Sequence, residues 1–166
     1  NPEGHLPVTF YKGTEELPAF TDYAMEGRTY RYMKQDALYP FGYGLSYTTY
    51  AYSNLTVRGE QVGEDGTDIT ETVQVYIKIE KEDTPNAQLK AIRKVTLRPG
   101  EEKKVSIHLA KDAFGLCDKE GNFRTRKGEA KVYVGGQAPD RRSEELTGVK
   151  VQSVMLRTED ELLWEN

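Results

Sequence analysis

Carboxylates are the residues here with the clearest capacity for chemistry. Hydrolysis by a general acid and a base or nucleophile needs two of them held roughly 5 to 9.5 Å apart. The chain has 27 acidic residues, but Glu15, Glu16, Glu64, Asp65, Glu101, Glu102, Asp118 and Glu120 all fall in stretches rich in glycine and proline that read as turns and loops. Carboxylates in such places are solvated, and no catalytic residue is assigned among them. His5 and His108 each stand alone, without a histidine or cysteine nearby to complete a metal site, and His108 falls on the expected solvent face of a strand. The only cysteine, Cys117, excludes an intrachain disulfide and a multi-cysteine zinc site; its setting, "AFGLCDKEGN", suits a small buried apolar residue beside a turn. No serine has a nucleophile-elbow context. Neither "GYG" nor "VGG" leads into the helix that a phosphate-cradling loop requires. No metal and no cofactor is implied.

One stretch rises above this background: "YPFGYGLSYTTYAYSNL", Tyr39 to Leu55, is crowded with rings and carries no charge. A sugar-stacking platform, a core strand and a buried contact with another domain would each leave such a trace. Rings stack on pyranose faces, but packing buries them at a larger gain, about 1.5 to 3 kcal/mol for each large side chain. Interdomain packing by Tyr39, Pro40, Phe41, Gly42, Tyr43, Gly44, Leu45 and Tyr47 is therefore preferred, with an exposed platform as the alternative. Gly42 and Gly44 fit a tight linker, since glycine permits close backbone approach and positive φ.

The elements that position these residues change character along the chain. Nine of the eleven tyrosines and four of the seven prolines lie within the first 52 residues. That region lacks periodicity, with short extended pieces such as "LPVTFY" and "RTYRYM", as expected of a segment lying against a surface supplied by something else. Beyond Tyr47 the period becomes two. In "TVQVYIKIE", Val73, Val75, Ile77 and Ile79 oppose Gln74, Tyr76 and Lys78; in "KKVSIHLA", Val105, Ile107 and Leu109 face inward; in "EAKVYVGG", Ala130, Val132 and Val134 alternate with Lys131 and Tyr133. "RPGEE" and "DKEGN" supply turns. Strands at such short intervals predict an all-β, antiparallel sandwich of the immunoglobulin or fibronectin kind with an irregular N-terminal extension. Only "KDAF" and the tail "TEDELLWEN" suggest brief helix, and "RGEQVGEDGTDITE", Arg58 to Glu71, reads as an acidic loop.

Composition narrows the partners. With 23 basic against 27 acidic residues and no basic face, nucleic acid is a poor fit. The run "RTRK" at Arg124 to Lys127 reads as a solvated hairpin edge. No apolar run approaches the ~18 residues of a membrane span, and no leader-like segment is read. The opening "NPEGHLPVTF" reads as the interior of something longer.

The string "ALYPFGYGLSYTTYAYSNL" resembles the junction in glycoside hydrolase family 3 enzymes, the β-glucosidases and β-xylosidases, where the second catalytic domain ends and a fibronectin type III-like domain begins. The flank "NPEGHLPVTFYKGTEELPAFTDYAMEGRTYRYM" resembles the close of that α/β domain. "TVQVYIKIE", "VTLRPGEEKKVSIHL", "DKEGNF" and "GEAKVYVGG" resemble successive strands and turns of the sandwich. The resemblance covers nearly the whole chain. It implies residues 1–46 as the end of the preceding domain and linker, 47–157 as the sandwich and 158–166 as a tail. It implies a retaining glycosidase whose nucleophile and acid/base lie upstream, so no catalytic residue is carried over and this chain alone is expected to hydrolyse nothing. "DYAM" and "GRTYRY" lean towards the xylosidase branch. The implied partners are the catalytic domains of a parent glycosidase. Two departures stand out. His5 occupies a position where the family commonly has arginine or lysine before "LP". The acidic loop Arg58 to Glu71 replaces a strand ending in an "NTG"-like turn, which would leave a sheet edge open to a second copy of the chain.

Overall fold

The computed structural model of the chain describes residues 2–55, 70–80, 84–118, 121–125, 128–158 and 162–163. Among these residues seven strands form two antiparallel sheets: β1 (Thr70–Ile79), β2 (Gln88–Thr96), β3 (Gly115–Cys117), β4 (Phe123–Thr125), β5 (Gly128–Gly135), β6 (Gln152–Thr158) and β7 (Leu162–Leu163). The larger sheet has the order β2-β1-β5-β6 and the smaller β3-β4-β7. The all-β antiparallel architecture expected from the period-two patterns is the one observed.

Register explains the core. Val75 faces Val134, Ile77 faces Val132 and Ile79 faces Ala130 across the β1–β5 ladder, so the branched residues of two central strands fall on one side. Val75, Ile77, Ala130 and Val132 form the buried cluster, and Ile107, Leu109, Ala113, Phe114, Val154 and Leu156 pack around it. Burying each Val or Ile contributes about 1.5 to 3 kcal/mol. The β1–β2 register slips between Val75 and Tyr76, where Val75 pairs with Ala91 and Tyr76 with Leu89. Lys90 is the extra residue of this bulge.

Both turn motifs form. Glu101 N–H donates to the Arg98 carbonyl at 2.9 Å, and Gly100 takes φ +79° after Pro99, the residue order of a type II turn. In "DKEGN", Gly121 N–H donates to the Asp118 carbonyl, and Asn122 N–H to Asp118 Oδ1 at 2.8 Å, closing the β3–β4 hairpin. "KDAF" is a single 3-10 turn, Lys111–Phe114.

Several expectations are corrected. "KKVSIHLA" makes no ladder: Ile107 and Leu109 still point at the core, but residues 101–110 carry no sheet pairing, and the Arg93 guanidinium binds the Ser106 carbonyl instead, at 2.7 Å. "RTYRYM" is not extended but holds the helical turn α1 (Thr29–Tyr32), because the chain reverses at Gly27, φ +72°. A second helix, α2 (Arg141–Thr147), stands where no helix was expected. It is capped by the Asp140 carboxylate, which accepts from Ser143 N–H, and ends at Gly148 with φ +70°. In the tail, Leu162 and Leu163 are strand and pair with β4, not helix. Cys117 is exposed rather than buried. The acidic loop, apart from Thr70 and Glu71 at the start of β1, lies outside the described residues, and with it the question of the missing strand.

Candidate functional site

The period-two pattern implies one buried face for β1, yet both are buried. On the side away from the core, Gln74 is 1% exposed and Tyr76 is 0% exposed. What covers them is the N-terminal extension.

The extension closes on itself before it docks. Residues 5–10 run beside 39–44: His5 bridges Gly44 and Phe10 bridges Tyr39, with Leu6 N–H donating to the Tyr43 carbonyl and Gly42 N–H to the Leu6 carbonyl at 2.9 and 2.8 Å. This presents the Gly42 carbonyl to β1. Gln74 Nε2 donates to it at 2.9 Å and to the Gly136 carbonyl at 3.1 Å, while the Tyr76 hydroxyl donates to Gln74 Oε1 at 2.6 Å. Both amide hydrogens and the amide oxygen of a buried glutamine are thus satisfied, the condition for a polar group to sit at such depth. Burial, reinforced by the fields of Tyr30 and Asp140, pushes the Tyr76 phenol well above the usual phenol range, so it stays a donor.

Within the extension the Tyr30 and Phe41 rings stack with centroids 4.1 Å apart and planes 9° from parallel. Further contacts fasten it along the sheet. Asn86 Nδ2 donates to the carbonyls of Tyr30 and Met33 at 3.1 and 2.9 Å, and Asn86 N–H to that of Arg31 at 2.7 Å. The Arg31 guanidinium binds Gln88 Oε1. Lys94 Nζ meets Glu3 Oε2 at 2.8 Å. At the other end Arg141 of α2 pairs with Asp36, and Arg142 Nε reaches the Leu38 carbonyl at 3.4 Å. Lys90, half-buried beside Arg31, has its ammonium pushed below the usual lysine range, first by desolvation and then by that guanidinium.

The residues singled out in the sequence therefore divide. Pro40 and Gly42 are buried, Phe41, Tyr43 and Gly44 half-buried; Gly42 packs on this chain's own sheet, and Phe41 on Tyr30. Tyr39 stacks on Tyr43 at 5.7 Å and meets Phe10 edge-on at 6.4 Å. Leu45 and Tyr47 face solvent, 67% and 89% exposed. A cleft of about 240 Å3 lies between this linker and α2, with His5, Tyr43, Tyr50, Tyr52, Gln137 and Thr147 in its wall. Sequence reasoning missed Gln74, Tyr76, Tyr30 and Asn86. The one available signal was Gln74 and Tyr76, large and hydrogen-bonding, on the supposedly wet side of an inner strand.

Among the described residues no group of three histidines, cysteines or carboxylates is placed to hold a metal ion, and no helix is long and apolar enough to cross a membrane. Two carboxylates where the extension meets α2 serve as an ion-pair partner and a cap: Asp36 pairs with Arg141 and Asp140 caps α2.

Comparison with known proteins places this arrangement. The profile of the fibronectin type III-like domain matches residues 71–138. A xylan 1,4-β-xylosidase of Xylanibacter ruminicola is 36% identical over 160 residues, 89% of this chain and 18% of that protein. A periplasmic β-glucosidase of Salmonella typhimurium is 30% identical, over 81% of this chain and 21% of that protein. Among solved structures, β-glucosidase 3B of Thermotoga neapolitana, in complex with α-D-glucose, superposes with a TM-score of 0.77 at 26% identity, covering 99% of this chain and 26% of that one. The β-glucosidase of Kluyveromyces marxianus, in complex with glucose, gives 0.70 at 29%, covering 97% and 22%. The chain spans about a fifth of the curated relatives it matches. It carries a fibronectin type III-like domain, and its homologues are the β-glucosidases and β-xylosidases of glycoside hydrolase family 3.

Proposed function

We propose that the chain is the non-catalytic C-terminal module of a family 3 β-glycosidase, a β-xylosidase or β-glucosidase, and that it packs on and stabilises the catalytic domains of that parent enzyme. In this reading residues 1–46 close the preceding α/β domain and lead across a linker, 47–157 form the sandwich and 158–166 the tail. The observation that carries it is the extension itself. Residues 2–44 are fixed to the outer face of the sheet by the Gly42–Gln74–Tyr76 contacts, while Leu17, Phe20, Tyr23, Leu45 and Tyr47 are turned out to solvent. A segment anchored on one side and apolar on the other is suited to join two bodies. Tyr39, Pro40, Phe41, Gly42, Tyr43, Gly44, Leu45 and Tyr47 form the seam.

Two measurements test this. The isolated chain is expected to release no nitrophenol from nitrophenyl xyloside or glucoside, and deletion of residues 70–158 from the parent is expected to lower its melting temperature. Hydrolysis by the isolated chain, or a parent unchanged by the deletion, would sink the proposal.

A second reading has one observation in its favour. The cleft beside the linker has three tyrosines and His5 in its wall, a composition suited to a sugar ring, although its volume falls below the ~300 Å3 at which small-molecule pockets usually begin. Retention on xylan or cellulose in affinity electrophoresis, lost on Tyr43→Ala, would support carbohydrate binding; equal mobility with and without polysaccharide would remove it.

A further inference from the structure

We propose that the loop from Leu17 to Arg28 is a pre-formed pin that seats this chain in the catalytic part of its parent, with Phe20 and Tyr23 as the anchors. The inference rests on the reading above and deepens it. In "LPAFTDYAMEGR" the two rings are 95% and 88% exposed, with Leu17 and Met25 about half exposed beside them in sequence. Each ring stands at the corner of a turn. Asp22 N–H donates to the Ala19 carbonyl at 2.9 Å, which puts Phe20 at a β-turn corner. Ala24 N–H donates to Asp22 Oδ1 at 2.9 Å, which puts Tyr23 at the corner of an Asx turn.

The loop is held in this shape by a single guanidinium. Arg28 Nε donates to the Ala24 carbonyl at 2.9 Å, and its Nη2 to the carbonyls of Ala19, at 3.3 Å, and Asp22. Arg28 N–H adds a bond to the Met25 carbonyl at 3.0 Å. At the base, Thr29 takes φ +55°, a left-handed conformation disfavoured for a β-branched residue, and its N–H is held by the Tyr11 hydroxyl at 3.1 Å. Strain of this kind persists where surrounding contacts dictate it and concentrates at functional segments. None of these contacts buries Phe20 or Tyr23. The loop is ordered around two rings that it leaves in water, and anchors ordered in advance lose little entropy when they bind.

The chemistry favours a protein occupant over a sugar. A saccharide needs donors and acceptors beside the stacking ring, but here Asp22 Oδ1, the Arg28 guanidinium and the carbonyls of Ala19, Asp22 and Ala24 are engaged within the loop. Phe20 has no polar tip, and the neighbours Leu17, Ala19 and Met25 are apolar. The relatives carry about four-fifths of their length outside the matched segment, and that region in the parent is the occupant.

The test uses single thiols in a Cys117→Ser background. Phe20→Cys and Tyr23→Cys are expected to react with a maleimide at the free-thiol rate in the isolated chain, and to be slowed about 100-fold or more in the intact parent. Phe20→Ser with Tyr23→Ser is expected to leave the isolated chain's melting temperature unchanged and to lower the parent's. Equal labelling rates in chain and parent would overturn the inference. So would retention of the isolated chain on xylan that the double serine variant abolishes, since the rings would then serve a sugar. If labelling is equal while deletion of residues 70–158 still destabilises the parent, only the pin fails; if the deletion has no effect either, the wider reading fails with it.

Discussion

Gly42 lies so close to Tyr76 that a methyl group on its Cα would occupy the space of the phenol oxygen, and would fall 2.5 Å from Gln74 Oε1. The glycine also holds φ +79°, so conformation and contact both demand it. Gly42→Ala is expected to cost about 2 to 4 kcal/mol, from left-handed strain plus displacement of the buried pair. The check is urea denaturation of the isolated chain; a midpoint within error of the wild type would refute the contact.

The hydroxyl of Tyr76 is the partner of Gln74 Oε1. Tyr76→Phe removes it without altering packing and leaves a buried acceptor short of a donor, at about 1 to 3 kcal/mol. Tyr133→Phe serves as the control, since Tyr133 pairs with Tyr76 on the adjacent strand but is only half-buried. Equal losses for the two variants would show that the hydroxyl of Tyr76 does nothing special.

Asp140 gives a pH signature. Burial raises its carboxyl above the ordinary aspartate value of 3.8, against the opposing hydrogen bonds from Ser143 and Arg142 and with the help of Asp36. The folded state then binds this proton more tightly than the unfolded chain does. That contribution is fully present below pH 3.8 and is lost as pH rises through the folded-state value. Asp140→Asn keeps a cap but cannot titrate. The stability of the wild type relative to this variant is expected to be greater at pH 3 than at pH 7 in paired urea titrations, and a constant difference would count against the buried carboxyl.

Leu45 is exposed in the chain and lies in the proposed seam. Leu45→Ser is expected to change the isolated chain's stability by less than about 0.5 kcal/mol but to lower the melting temperature of the parent enzyme. Differential scanning calorimetry of both decides it, and a parent indifferent to the change removes Leu45 from the seam.

The sandwich was legible because its signal is local. Val75, Ile77, Ala130 and Val132 alternate with larger or polar neighbours, and alternation alone assigns them to one face. The hydrophobic alternation of "KKVSIHLA" named Ile107 and Leu109 as inward but not the absent ladder, since hydrogen bonding depends on what lies alongside and not on which face is apolar. The helix α2 went unread because seven residues are too few to show a period, although "DRRSEELTG" carries both its cap and its stop. The contacts of Gly42 with Gln74 and Tyr76 were beyond reach for a different reason. They join residues more than thirty positions apart, and nothing in "FGYG" or "TVQVY" alone says that the one covers the other.

β1 is an inner strand, flanked by β2 and β5 among the described residues, and it is the strand that holds the Gly42 carbonyl, while Glu3 and Arg31 reach the neighbouring β2. A load arriving at Gly42 therefore enters the sheet through its middle, where two ladders share the shear. The joint is mechanically a rivet through a plate: Gly42 is the pin and the buried Gln74–Tyr76 pair the seat.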